Sequence, residues 1–265
     1  MNNTKFYYLY NILFTIALSF FNPILYIYLL SKDFSFTEVG LYLSIFWLVS
    51  FMTELPCGAI TDNIGAKNSI LLSVIFRVVG LILLLSNSLI LLYISAILSA
   101  IAESFQSGTL TSWLVNVNNK NNEEIDIDKV LSRSSLYSLF FSAVIGFISA
   151  KYVYVYYKSL SIILSMSIFI ISFLFTYLFM KKLEQTQKIS IENLKGSIVT
   201  VKNSLKETLY VKSSVFLMIL FVIPSILDLG PSNQWQAVFE KLDADIIGYI
   251  WVGISVSGML GSVIY

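Results

Sequence analysis

The sequence predicts an all-α fold, a polytopic membrane helix bundle of about eight spans. Three observations lead there. Only 12% of the residues are charged and 57% are hydrophobic, whereas a soluble domain carries about 25% charged residues. Too little polar surface remains to coat a globule in water. The apolar residues gather in runs near the roughly 20 residues that cross a bilayer. The charges gather in the links between those runs.

Taken in order, the spans fall near residues 6–30, 40–59, 69–87, 89–115, 131–150, 159–180, 213–235 and 246–265. The first, "FYYLYNILFTIALSFFNPILYIYLL", is too long for a signal-peptide core and has no small-residue cleavage site after it, so it reads as a retained span. The link "SNSL" forces the third and fourth helices antiparallel. "NVNNKNNEEIDIDKV", residues 116–130, is a mixed-charge loop. Residues 181–212 form a longer polar segment in which Ile191, Leu194, Ile198, Val201, Leu205 and Leu209 recur at helical spacing. That spacing suits an amphipathic helix on the membrane surface, with a solvated linker as the alternative. The expected organisation is therefore a six-helix bundle over 1–180, a central loop over 181–212, and two helices of a second bundle over 213–265.

Twelve cations fall in the segments on the N-terminal side, among them Lys5, Lys67, Lys120, Lys129, Arg133 and those of 181–212. The other side holds Lys32, Lys151, Lys158 and Lys241. The excess places the N-terminus in the cytoplasm of a multi-pass plasma-membrane protein. Net charge is +1, which gives no reason to expect nucleic acid. The sequence has no histidine and one cysteine, Cys57. The commonest general base and metal ligand are absent, no disulfide can form within one chain, and no cluster suits a metal or an enzyme nucleophile. No cofactor, metal site or catalytic residue is expected.

"GAITDNIGAK" interrupts the grease between the second and third spans. Gly58 and Gly65 suit close helix approach and a sharp turn, and Asp62 suits a helix start, where its charge meets the positive end of the dipole. Lys67 falls at headgroup level. A capped turn with no further role explains the stretch equally well. The same residues resemble the loop G-x-x-x-D-x-x-G-x-K of the major facilitator superfamily, with Asn63 where an arginine is usual. "AESFQSGTLTSWLVN" is similar to the fourth helix of its bacterial efflux-type members, and "NQWQAVF" resembles a tryptophan-glutamine element of the same group. The resemblance implies a permease that moves a small organic solute or drug by alternating access, with the aspartate at Asp62 as a gating latch. Family members have about twelve spans, and this sequence stops at Tyr265, near the end of the eighth. That implies a partial carrier which transports when a second chain completes the bundle. The competing expectation is a non-transporting membrane protein, a partner or remnant of a full carrier.

Polar residues share single helix faces. They are Asn11, Thr15, Ser19, Asn22 and Tyr26 in the first span. In the fourth they are Ser95, Ser99, Glu103, Gln106, Thr109 and Trp113. In the seventh they are Ser225, Asp228, Ser232, Trp235 and Gln236. Such faces point at protein or water, not lipid. Either they line a cavity, with Asn11, Asn22, Tyr26, Gln106, Trp113 and Gln236 as the candidates, or they bond helix to helix at around 1 kcal/mol a pair. The resemblance favours the cavity, because the superfamily lines its own with the first, fourth, seventh and tenth helices. Among the intramembrane charges, Glu54 and Arg77 are the expected structural ion pair. Glu103 has no evident cationic partner, which makes it a carboxyl able to load and release a proton, and Asp228 is a second candidate for proton coupling. The expected partners are a small-molecule substrate, the lipid bilayer and protons.

Overall fold

In a computed structural model, the described residues are 2–121, 126–180, 210–213, 215–216, 219–220, 223, 234–239 and 246–264. All regular structure among them is helical. The first span is α1 (Asn3–Phe21) followed by α2 (Leu25–Leu30), broken at Asn22–Ile24. Pro23 sits in the break, where it has no N–H to donate. The second span is α3 (Phe36–Ile64), opened by a capping box. Glu38 N–H donates to Ser35 Oγ at 3.3 Å and Ser35 N–H donates to Glu38 Oε2 at 2.7 Å. The third is α4 (Ala66–Leu84).

The fourth span is α5 (Leu89–Gln106) and α6 (Thr109–Asn121), joined at Gly108 with φ 64°. That left-handed angle suits glycine, which has no Cβ to clash. The fifth is α7 (Ile127–Ile148), a π-helical turn at Ser149–Val153 and the short α8 (Tyr154–Tyr156). Asp126 caps its start by accepting from Lys129 N–H at 3.1 Å. The sixth is α9 (Leu160–Phe179), and α10 (Ile246–Ile264) stands at the eighth position. Six of these units are long and apolar enough to cross a membrane. This is an integral membrane protein. The expected seventh span, 213–235, and the surface helix of 181–212 lie largely outside the described residues, as does Asp228.

Hydroxyl groups staple the bundle. Ser69, Ser73 and Ser95 bond the backbone carbonyls of Phe105, Ala102 and Gly80 across α4 and α5 at 3.1, 2.8 and 2.8 Å. Gly80 makes that approach possible, because a Cβ there would sit 2.7 Å from Ser99 Oγ. Ser165 Oγ bonds the carbonyl of Ala17 at 2.6 Å, and Thr53 and Ser104 share a bond at 2.8 Å. Each hydroxyl is satisfied by a neighbouring helix in a place where water is absent.

Lysines close two helix ends. On the side away from the N-terminus, Lys32 Nζ reaches the carbonyls of Leu84, Leu85 and Ser86, at 3.2 Å for the first and 2.9 Å for the last. On the N-terminal side, Lys67 Nζ bonds the carbonyls of Tyr177 at 2.7 Å and Met180 at 3.0 Å. A cation there satisfies orphan carbonyls and complements the negative pole of the helix.

An apolar surface runs along α3, where Leu48, Phe51, Met52 and Leu55 are exposed. Inside, two clusters divide the bundle by depth. On the N-terminal side Phe6, Tyr10, Ile70, Trp113, Leu114 and Met180 are packed solid, with Phe6 stacked on Phe175 at 5.2 Å and edge-on to Trp113 at 5.2 Å. The other cluster surrounds Ile24–Leu29 and the start of α3.

Candidate functional site

Within the second of these clusters, in the half of the bundle away from the N-terminus, lies a cavity of about 380 Å³. The first, second, third and fourth spans, Trp235 and Gln236, and Trp251 of α10 wall it. Its deep end carries Arg77 of α4 and Glu103 of α5, joined in an ion pair. Tyr42 and Ser99 flank that pair, and Phe46, Trp47, Trp235 and Trp251 supply aromatic wall. Trp235 and Trp251 stack with centroids 6.5 Å apart. The Arg77 side chain is 5% exposed and that of Glu103 42%. The pair therefore presents its carboxylate to the cavity and keeps its cation underneath. The Nε of Arg77 is buried without a hydrogen-bond partner.

This pairing corrects two expectations. Arg77 does not pair with Glu54. Counted from the Gly65 turn, Glu54 lies 11 residues back and Arg77 12 residues on, so the two sit at nearly the same depth. Direction separates them: Arg77 is buried and turned to Glu103 on α5, which packs between α3 and α4. Glu54 is exposed on α3. Nor is Glu103 without a cation. The serine bonds between α4 and α5 set Arg77 within a turn of it, so any proton that Glu103 loads must break an ion pair.

The cavity-lining candidates divide. Asn22, Tyr26 and Gln236 line the cavity. Asn11 does not; its Nδ2 donates to Ser134 Oγ at 3.1 Å and ties α1 to α7. Gln106 accepts from Tyr10 O–H at 2.9 Å, beneath the cavity floor. Trp113 is buried in the packed N-terminal-side cluster. For these three, helix-to-helix bonding and packing describe their place. Tyr42, Phe46, Trp47 and Trp251 were missed. The second span has no polar stripe to mark an inner face, and the only signal for Trp251 was the pair of small residues Ser142 and Gly146 in α7. There a Cβ on Gly146 would overlap the Trp251 indole, whose Nε1–H donates to Ser142 carbonyl at 2.9 Å.

The loop residues divide as well. Gly65 makes the turn between α3 and α4 with φ 82° and ψ 152°, a conformation open essentially to glycine. Gly58 instead lies within α3, exposed, and a Cβ on it would meet no described atom within 4 Å. It permits no close approach there. Asp62 does not start α4, because the N-cap is Gly65 and no side chain bonds it. Asp62 sits exposed in the last turn of α3. The turn is instead fastened by Thr61 to Ser69 at 2.7 Å, by Lys67 on α9 and by Asn63 Nδ2 on the Ala59 carbonyl at 2.7 Å.

A family model described as Major Facilitator Superfamily matches residues 7–265. The chain belongs to the major facilitator superfamily. It is also 26% identical over 252 residues to an uncharacterized MFS-type transporter, YxaM, of Bacillus subtilis strain 168. That alignment takes in 92% of the chain and 61% of the relative's length. The cavity draws on the first four spans, on Trp235 and Gln236, and on α10.

Proposed function

We propose that this major facilitator superfamily chain serves as a secondary transporter that moves a small organic solute through the plasma membrane by alternating access. The cavity at the deep end of which Arg77 and Glu103 meet carries the reading. It is mainly apolar with a few polar groups, is walled by several spans, and has a tightly packed cluster on its N-terminal side. Aromatic walls suit the body of an amphiphilic solute and the exposed carboxylate suits a donor on it. Glu103 is the coupling group in this reading. A proton or a solute donor that takes the carboxylate releases Arg77, and a switch of partners at the floor of a cavity links binding to rocking. Asp62 is the cytoplasmic latch, exposed in the last turn of α3 where an opposing helix can reach it.

The test is uptake into proteoliposomes of the native protein, over a panel of amphiphilic amines, amino acids and sugars, with and without an imposed proton gradient. Saturable uptake is expected for one class. Glu103→Gln should lose gradient-driven accumulation and retain exchange. Gradient-driven accumulation that survives in Glu103→Gln would remove Glu103 from coupling. Absence of saturable uptake across the panel would overturn transport itself.

A further inference from the structure

In an unbroken helix the N–H of Tyr26 would donate to the carbonyl of Asn22, four residues back. Here that bond is open and a side chain from elsewhere fills the gap. Gln236 Nε2 donates to the Asn22 carbonyl at 2.9 Å, and Gln236 Oε1 accepts from the Tyr26 N–H at 2.9 Å. The orientation of the amide follows from its partners, since a carbonyl only accepts and an N–H only donates. The amide of Gln236 thus stands in for a peptide unit spliced into the first span at Pro23. It is buried, 5% exposed, and comes from 210 residues away in sequence. Asn22, Tyr26 and Gln236 all line the cavity, and the neighbouring Trp235 stacks on Trp251 beside them.

We propose that Gln236 is the positioning residue that shuts the cavity on the side away from the N-terminus, by splicing its amide into the break between α1 and α2. The break then has two satisfied states. With Gln236 inserted, the helix is open and the 234–239 segment is held against the first span. With Gln236 withdrawn, Tyr26 N–H and Asn22 carbonyl can bond each other and the helix becomes continuous. Pro23 keeps the span kinked in both states, because it has no N–H for the Ser19 carbonyl, but that bond is separate from the one between Tyr26 and Asn22. Both states pair the Tyr26 N–H and the Asn22 carbonyl, which makes the joint bistable. The significance of the latch for transport rests on the reading of the cavity as the solute site. The latch itself does not.

The test reads opening without a substrate. In full-length protein with Cys57→Ser, a cysteine is placed in the cavity wall at Phe46, and its labelling by a membrane-impermeant maleimide is timed in nanodiscs. Loss of two net hydrogen bonds should raise the opening equilibrium roughly tenfold or more. Gln236→Leu keeps the bulk and removes both bonds, so labelling should accelerate by about that factor. If Gln236→Leu labels like the parent, the splice does not hold the cavity and the proposal fails. If Gln236→Leu stays slow while Gln236→Ala is fast, bulk is what counts, and the proposal fails too.

Gln236→Glu provides a check that does not depend on the fold tolerating leucine. Its protonated acid can still donate to Asn22 and accept from Tyr26, whereas its carboxylate meets the Asn22 carbonyl with a second acceptor. Relative to the Gln236 parent at each pH, labelling should be near parity at low pH and faster at high pH. A flat ratio would overturn the splice. Faster labelling without solute uptake would retain the latch and remove the transport reading.

Discussion

Arg77 and Glu103 form an unequal pair, because one partner is buried and the other faces a cavity. Removing one member of a buried pair costs about 3–5 kcal/mol when the survivor is left in a dry site. Glu103→Leu leaves the buried guanidinium alone and should destabilise by about 3–5 kcal/mol. Arg77→Leu leaves a carboxylate that water in the cavity can reach, so about 1 kcal/mol is expected. The double variant should recover most of the loss, and thermal unfolding in detergent measures all three. A larger loss in Arg77→Leu than in Glu103→Leu would mean that Glu103 is the dry partner. At this scale the charges were legible and their pairing was not. The type and rarity of Glu54, Arg77 and Glu103 marked them, but partnership depends on which way each side chain faces and on which helices touch. The turn residue was clearer. Gly65→Ala forces a side chain into a φ of 82° and should cost about 1–3 kcal/mol.

Packing of α7 against α10 turns on Gly146, which admits the Trp251 indole. Gly146→Ala should expel the ring and break its bond to Ser142. It should shift tryptophan emission to the red and cost about 1–3 kcal/mol as overpacking. Gly253→Ala in α10 is the control, since a Cβ there meets nothing within 4 Å, and it should be neutral or slightly stabilising. Equal effects from the two would remove the socket as an explanation. Spans were legible as elements because hydropathy and length report them directly. Their interruptions at Pro23 and Gly108 were not, since both spans read as continuous runs. The break at Pro23 is completed by Gln236, and such a contact leaves no periodicity in sequence. The polar stripe of the fourth span was ambiguous for a related reason. Ser95 bonds a carbonyl and Ser99 lines the cavity from the same face, so one stripe serves both glue and lining.

Across the whole molecule, the six spans put Asn3, the α3–α4 turn, the start of α7 and Met180 on one side. Leu30, Ser86 and Tyr157 are on the other. The lysine excess is the ground for expecting the first side in the cytoplasm. In whole cells with Cys57→Ser, Asp128→Cys should resist an impermeant maleimide until the membrane is opened, and Lys158→Cys should react at once. The reverse pattern would invert the bundle. The bundle was legible because lipid demands that apolar runs span and charges lie at the ends. The cavity was less so, since it is what remains when the helices pack. The serine bonds between α4 and α5 bear on how such a chain enters its membrane. The link between them is short, and Ser69, Ser73 and Ser95 find their acceptors within the two helices alone. With the Arg77–Glu103 pair, these three serines satisfy part of the hairpin's polar load inside it, while Lys67, Ser104 and Gln106 take partners on α9, α3 and α1. The two helices can therefore leave the insertion machinery side by side as a single unit during synthesis. An arginine and a glutamate that would each hinder a lone helix from partitioning into lipid cross as a neutral couple.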